Sequence, residues 1–181
     1  MPELPEVETT VRGLARVLEG QRLERVEARR ADLRRDFPDD LGQRLTGARV
    51  TGVGRRAKFG LINTDRGDTL VFHLGMSGHW RIDPDALGAH DHLLLETDEG
   101  RRLALNDARR FGSVDLVATD ALGNWPQIAA LGPDALGPDL DALQPLSLEN
   151  ARQSANGGLD FGKLGHGWRY GEGPPSPLEA A

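Results

Sequence analysis

The 181 residues are enough for one domain, or for one domain and a remnant of a second. Without cysteine the chain excludes disulfides and any cysteine-ligated zinc site, and with no apolar run near membrane-span length and no signal-peptide core it is expected to be soluble and cytoplasmic. The net charge of −6 weighs against a nucleic-acid partner, yet residues 1–130 hold 19 basic against 21 acidic side chains and residues 131–181 hold 3 against 7, so the first part has room for a basic face.

The chain opens with MPELPEVETT. Removal of Met1 leaves Pro2 with a free secondary amine, and an unperturbed α-amino group titrates at roughly 7.7–8.0. Beside the Glu3 carboxyl this is a nucleophile and acid pair; the same residues also suit the first turn of a helix. Val7, Val11, Leu14, Val17 and Leu18 then form the apolar stripe of an amphipathic helix closed by Gly20. Strand signals follow in RLERVEARR, ARVTGVG, AKFGLINTD and DTLVFHLGMSG, then in a hairpin about Asp98-Glu99-Gly100, and finally in GSVDLVAT. The predicted fold is mainly β with a leading α-helix: an antiparallel β-sandwich of six or so strands packed against an N-terminal helix.

From about residue 131 the composition shifts. LGPDALGPDL is turn chemistry, residues 147–155 have the makings of one short helix, and the remainder is rich in glycine and proline without periodicity. The expected plan is a β-sandwich over 1–131 and a poorly ordered linker and Gly/Pro-rich remnant over 132–181.

PELPEVET, RRAKFG (55–60), HLGMSG (73–78), HDH (90–92) and DARRFG (107–112), in this order, resemble the formamidopyrimidine-DNA glycosylase family. The resemblance implies a base-excision-repair glycosylase and AP lyase that removes oxidised purines such as formamidopyrimidine and 8-oxoguanine from double-stranded DNA. Residues 1–131 would be its N-terminal catalytic domain. It further implies a helical domain with a helix–two-turn–helix and a zinc finger, for which the residues after about 145 offer no counterpart. The expectation is therefore a shortened chain with weakened or lost activity, no cofactor, a monomeric state, and a place at the bacterial nucleoid when on DNA.

By the same resemblance Pro2 is the nucleophile that forms a Schiff base with the sugar C1′, and Glu3 is the acid that assists base loss. Lys58 is a proton donor and phosphate contact, and Glu6 is an orienting carboxylate only. Met76 is a wedge for the gap left by an extruded nucleotide, Arg109 faces the orphaned base and Phe111 stacks in the gap, with Arg109 and Phe111 taken as sharing one side of an extended segment. His90 is a DNA contact. His90 and His92 also form a His-x-His pair expected to share a strand face, but no third metal ligand is evident, so no metal site is predicted. His73 is expected to be structural. Two other readings stay open: an N-terminal-proline tautomerase, and a damaged-DNA-binding remnant without chemistry.

Overall fold

A computed structural model describes residues 3–132; Pro2, the later part of the linker and the Gly/Pro-rich remnant lie outside the described residues. Helix α1 (Leu4–Leu18) has Pro5 in its first turn and ends at Glu19, after which Gly20 takes φ +80° to turn the chain. Val7, Val11, Leu14 and Leu18 are buried at the spacing the sequence shows. Each such burial contributes about 1.5–3 kcal/mol, so α1 is held by the core rather than by intrinsic propensity.

Eight strands follow: β1 (Leu23–Ala28), β2 (Val50–Arg56), β3 (Phe59–Thr64), β4 (Asp68–His73), β5 (His79–Ile82), β6 (Asp91–Thr97), β7 (Arg102–Asn106) and β8 (Ser113–Ala118). They pair antiparallel in two sheets, ordered β1–β6–β7–β5 and β2–β3–β4–β8. The expected antiparallel sandwich with a leading helix is therefore present. Among the described residues there are more strands than the six or so predicted. Between β1 and β2 a short helix α2 (Leu41–Leu45) packs on β1.

The core lies between the sheets and beneath α1. Leu23, Ile62, Phe72, Leu93, Leu105 and Val114 meet the helix stripe there. Strands β3 and β4 are apolar on both faces, because Leu61 and Val71 point outward under Leu122 and Ile128. Those two belong to a 3-10 turn (Thr119–Asn124) and to helix α3 (Pro126–Ala129).

Strand register decides where the loops go. Phe59 pairs with His73 and His73 with Ser113, while Asn106 pairs with both His79 and Asp91. The β2–β3 turn, the β4–β5 loop, the turn before β6 and the β7–β8 loop therefore gather at one end of the sandwich. They carry Lys58, Met76, His90, and Arg109 with Phe111, respectively.

Candidate functional site

The N-terminus of α1 reaches this same end. Glu3 is the N-cap, with φ −87° and ψ 173°, and its carbonyl accepts the first helical N–H groups, from Glu6 and Val7. The Glu6 carboxylate accepts the Glu3 N–H at 2.6 Å, so Glu6 orients the chain entry as expected. Glu3 in turn accepts from Lys58 Nζ at 3.3 Å across the sandwich edge. The pair is too exposed to matter much for stability; what it fixes is position.

Lys58 sits in a two-residue turn with Ala57 rather than on a strand, and Ala57 is left-handed at φ +49°. A non-glycine residue there costs roughly 1–2 kcal/mol, and such outliers gather at functional sites. The neighbouring arginines are turned inward. Arg55 is buried and paired with Glu8 on α1, and Arg56 is buried with its Nη2 donating to the Gly132 carbonyl at 2.6 Å. Burial pushes the Glu8 carboxyl up, but its hydrogen bonds to Arg12 and Arg55 outweigh this and hold it below the ordinary 4.5.

Met76 projects from a tight loop whose base is closed by Gly78 N–H donating to the Leu74 carbonyl at 2.8 Å. Its side chain is 44 % exposed, as is that of Phe111. Arg109 and Phe111 do come together, the guanidinium carbon lying 4.9 Å from the ring centroid. The expected extended segment is absent, however. Arg110 between them is left-handed at φ +57°, and it is this turn that stacks one on the other.

His90 is exposed in the turn before β6. The turn is anchored by the buried Asp91, which accepts from Gly88 N–H at 2.7 Å and Asn106 Nδ2 at 2.8 Å and pairs with Arg81 at 2.5 Å. Burial raises the Asp91 pKa, and these three partners more than reverse it. His90 and His92 do lie on one side of the chain, their rings meeting edge-on at 6.3 Å between centroids, but His90 precedes the strand and is exposed, whereas His92 is buried with Nε2–H donating to the Asp107 carbonyl at 2.9 Å.

His73 is structural as the sequence leads one to expect, in that its Nδ1 accepts the Gly75 N–H at 3.0 Å. The ring also lines a cleft of about 360 Å³ with Arg34, Arg35, Phe59 and Phe111. Burial first, then the charges of Lys58, Arg34 and Arg35, hold its imidazole below the ordinary 6.5. A second cleft, of about 320 Å³, is lined by Met76 together with Glu6, Thr10 and His79. Arg34 and Arg35 add to the positive charge that Lys58 and Arg109 bring to this end, and Arg35 is braced by Asp115 at 2.5 Å.

Residues 1–114 match the model of the formamidopyrimidine-DNA glycosylase N-terminal domain. The chain belongs to the formamidopyrimidine-DNA glycosylase family. It is similar to the formamidopyrimidine-DNA glycosylase of Novosphingobium aromaticivorans, with 73 % identity over 142 residues that make up 78 % of this chain and 53 % of that one. The relative from Rhizorhabdus wittichii is 72 % identical over 140 residues, 77 % of this chain and 52 % of its own. The chain thus spans about half the length of the curated relatives it matches. Among solved structures it is similar to wild-type Lactococcus lactis Fpg in complex with DNA containing N7-benzyl-Fapy-dG, with a TM-score of 0.66 and 33 % identity over 73 % of this chain and 49 % of that one. A complex of the same glycosylase with Fapy-dG-containing DNA gives a TM-score of 0.66 at 32 % identity. All seven site residues expected from the glycosylase resemblance, from Pro2 to Phe111, fall within the residues matched by the family model.

Proposed function

We propose that this chain engages damaged double-stranded DNA at the end of the sandwich where its loops gather, and acts there as a glycosylase and AP lyase on oxidised purines. The observation that carries the reading is the strand register, which brings Lys58, Met76, His90, Arg109 and Phe111 together beside the Glu3 cap. In this reading Met76 and Phe111 fill the space vacated by an extruded nucleotide, as exposed apolar side chains on tight loops suit, and Arg109 faces the orphaned base. The cleft between Met76 and Glu6 is the place for the extruded nucleoside.

Pro2 stands one peptide bond before Glu3. With Met1 removed, its amine attacks the sugar C1′, and the bond from C1′ to the base breaks as the base leaves with a proton. Glu3 then protonates O4′ and the ring opens to an iminium. The positive charge acidifies the C2′ proton; its loss drives cleavage of the bond from C3′ to its oxygen, and the phosphate departs with Lys58 placed to serve as acid or phosphate contact. This route draws on the chain's own amine, carboxyl and ammonium groups and requires no cofactor.

Borohydride reduction of the chain on abasic-site duplex tests this. A covalent adduct with the wild type and little with Pro2→Gly is expected. Equal trapping by both would assign the chemistry to another amine, with Lys58 the first to examine. No adduct but preferential binding would leave a damage-binding protein without chemistry, and neither adduct nor binding would turn attention to proton transfer by Pro2 of the tautomerase kind.

A further inference from the structure

Asp107 lies in none of the roles above, yet it is 1 % exposed and all its polar atoms are engaged, three by loops of the candidate site and its carbonyl by His92 of β6. Its Oδ1 accepts the Ser77 hydroxyl at 2.7 Å, and Ser77 Oγ in turn accepts the Arg109 N–H at 3.2 Å. Its Oδ2 accepts the Gly112 N–H at 2.8 Å. Its backbone N–H donates to the His90 carbonyl at 3.0 Å, and its carbonyl accepts from the buried His92 at 2.9 Å. One carboxylate thus holds the residue after Met76 to both ends of the segment Arg109–Gly112. The same backbone unit grips the turn that carries His90.

An independent feature says the same. Gly75 is left-handed at φ +61°, and a Cβ there would lie 2.5 Å from Gly112 N and 2.7 Å from the Phe111 carbonyl oxygen. A Cβ on Gly112 would lie 2.6 Å from the His73 carbonyl oxygen and 3.0 Å from Asp107 Oδ2. The two loops therefore meet backbone to backbone with no side chain between them. Met76 and Phe111 are nearly half exposed, so the packing of their own side chains is too sparse to set their separation. The contact beneath them sets it.

We propose that Asp107 is a positioning residue: through Ser77 and Gly112 it locks the Met76 loop and the Arg109–Phe111 loop into one rigid unit, so that both enter the duplex at a fixed spacing and damage is told from intact DNA. This rests on the proposed engagement of damaged DNA. A rigid pair gains its full stacking only where the duplex already has a gap or a weak step; freed loops adapt to any site, and preference is lost before affinity is.

The test uses the full chain with Asp107→Ala, Asp107→Asn and Ser77→Ala. Affinity is measured for a duplex holding one tetrahydrofuran abasic analogue and for the undamaged duplex at one salt concentration, beside amide hydrogen exchange of residues 107–114. Asp107→Ala is expected to reduce the damaged-to-undamaged affinity ratio at least tenfold, to leave undamaged binding within about twofold, and to speed exchange at Arg109 and Gly112 a hundredfold or more. Asp107→Asn restores most of the ratio, because its oxygen accepts from Gly112 and its amide donates to Ser77 Oγ. Where Asp107→Ala does not fold, Ser77→Ala decides, with a several-fold fall in the ratio expected. An unchanged ratio, unchanged exchange, or an equal loss of affinity for both duplexes overturns the proposal. A wild type without preference for damage refutes the functional reading instead, and the exchange data then decide whether the lock exists.

Discussion

Gly60 and Phe72 form a directly opposed pair on β3 and β4, and the phenyl ring occupies the space a side chain at residue 60 would need. A Cβ built on Gly60 falls on ring carbons of Phe72, well inside 3.0 Å. The ring has nowhere to retreat, since it is fully buried and meets Trp80 of the other sheet edge-on at 5.4 Å between centroids. Gly60→Ala must therefore push Phe72 off its rotamer or part the sheets. Overpacking of this kind costs about 1–3 kcal/mol, offset by about 0.5–1 kcal/mol from removing a glycine within a strand. The net loss is about 1–2 kcal/mol, which for a domain of this size lowers Tm by roughly 4–8 °C. Phe72→Leu alone also destabilises, by opening a void, but it frees the space Gly60→Ala requires. In a thermal and urea unfolding cycle followed by circular dichroism, the double variant should be more stable than the sum of the singles by at least about 0.5 kcal/mol. Additive losses, or a Tm for Gly60→Ala equal to that of the wild type, would refute the packing argument.

Two further outcomes follow from the geometry. Glu8 is held below its ordinary 4.5 by Arg12 and Arg55, so its contribution is complete above that pH and lost as pH falls through the lower native value; Glu8→Gln should weaken the protein at neutral pH and flatten the fall in urea stability between about pH 5 and 3. A wild-type stability that did not fall over that interval would count against the pair. Ala57→Gly relieves a left-handed residue and should leave urea stability unchanged or raise it by up to about 1 kcal/mol; a loss above that size would show that Ala57 is not strained.

Much of the fold was legible because it is written in local periods. The helix stripe from Val7 to Leu18 and the hairpin about Asp98-Glu99-Gly100 need only neighbours three or four residues away. Strand β5 escaped because HWRI is short, lies at a sheet edge and buries none of its residues fully, so no alternation marks it. Five-residue α2 is likewise too short to display a helical period. At the candidate site the residue types carried the family resemblance, but their arrangement did not follow from spacing. No neighbour of Arg55 in the sequence foretells its burial, because its partner Glu8 lies 47 residues earlier in the chain. Arg109 and Phe111 have the spacing of a strand face, and only the left-handed Arg110 explains their stacking. Asp107 stood inside a recognised motif, yet its importance lies in Ser77, 30 residues away.

The loops that bear Met76 and Phe111 are also places at this end where the chain steps directly from one sheet to the other, from β4 to β5 and from β7 to β8. In mechanical terms they are seams rather than flaps. A load applied at either tip has no hinge to swing on; it passes directly into both layers and runs lengthwise along strands whose hydrogen bonds lie crosswise to it. The stiffness that the Asp107 contact gives the tips is then backed by the layers they join, whose shared core includes Phe72, Leu105 and Val114. A substitution deep between the layers, far from any exposed surface, can blunt the tips as surely as one at Met76 itself.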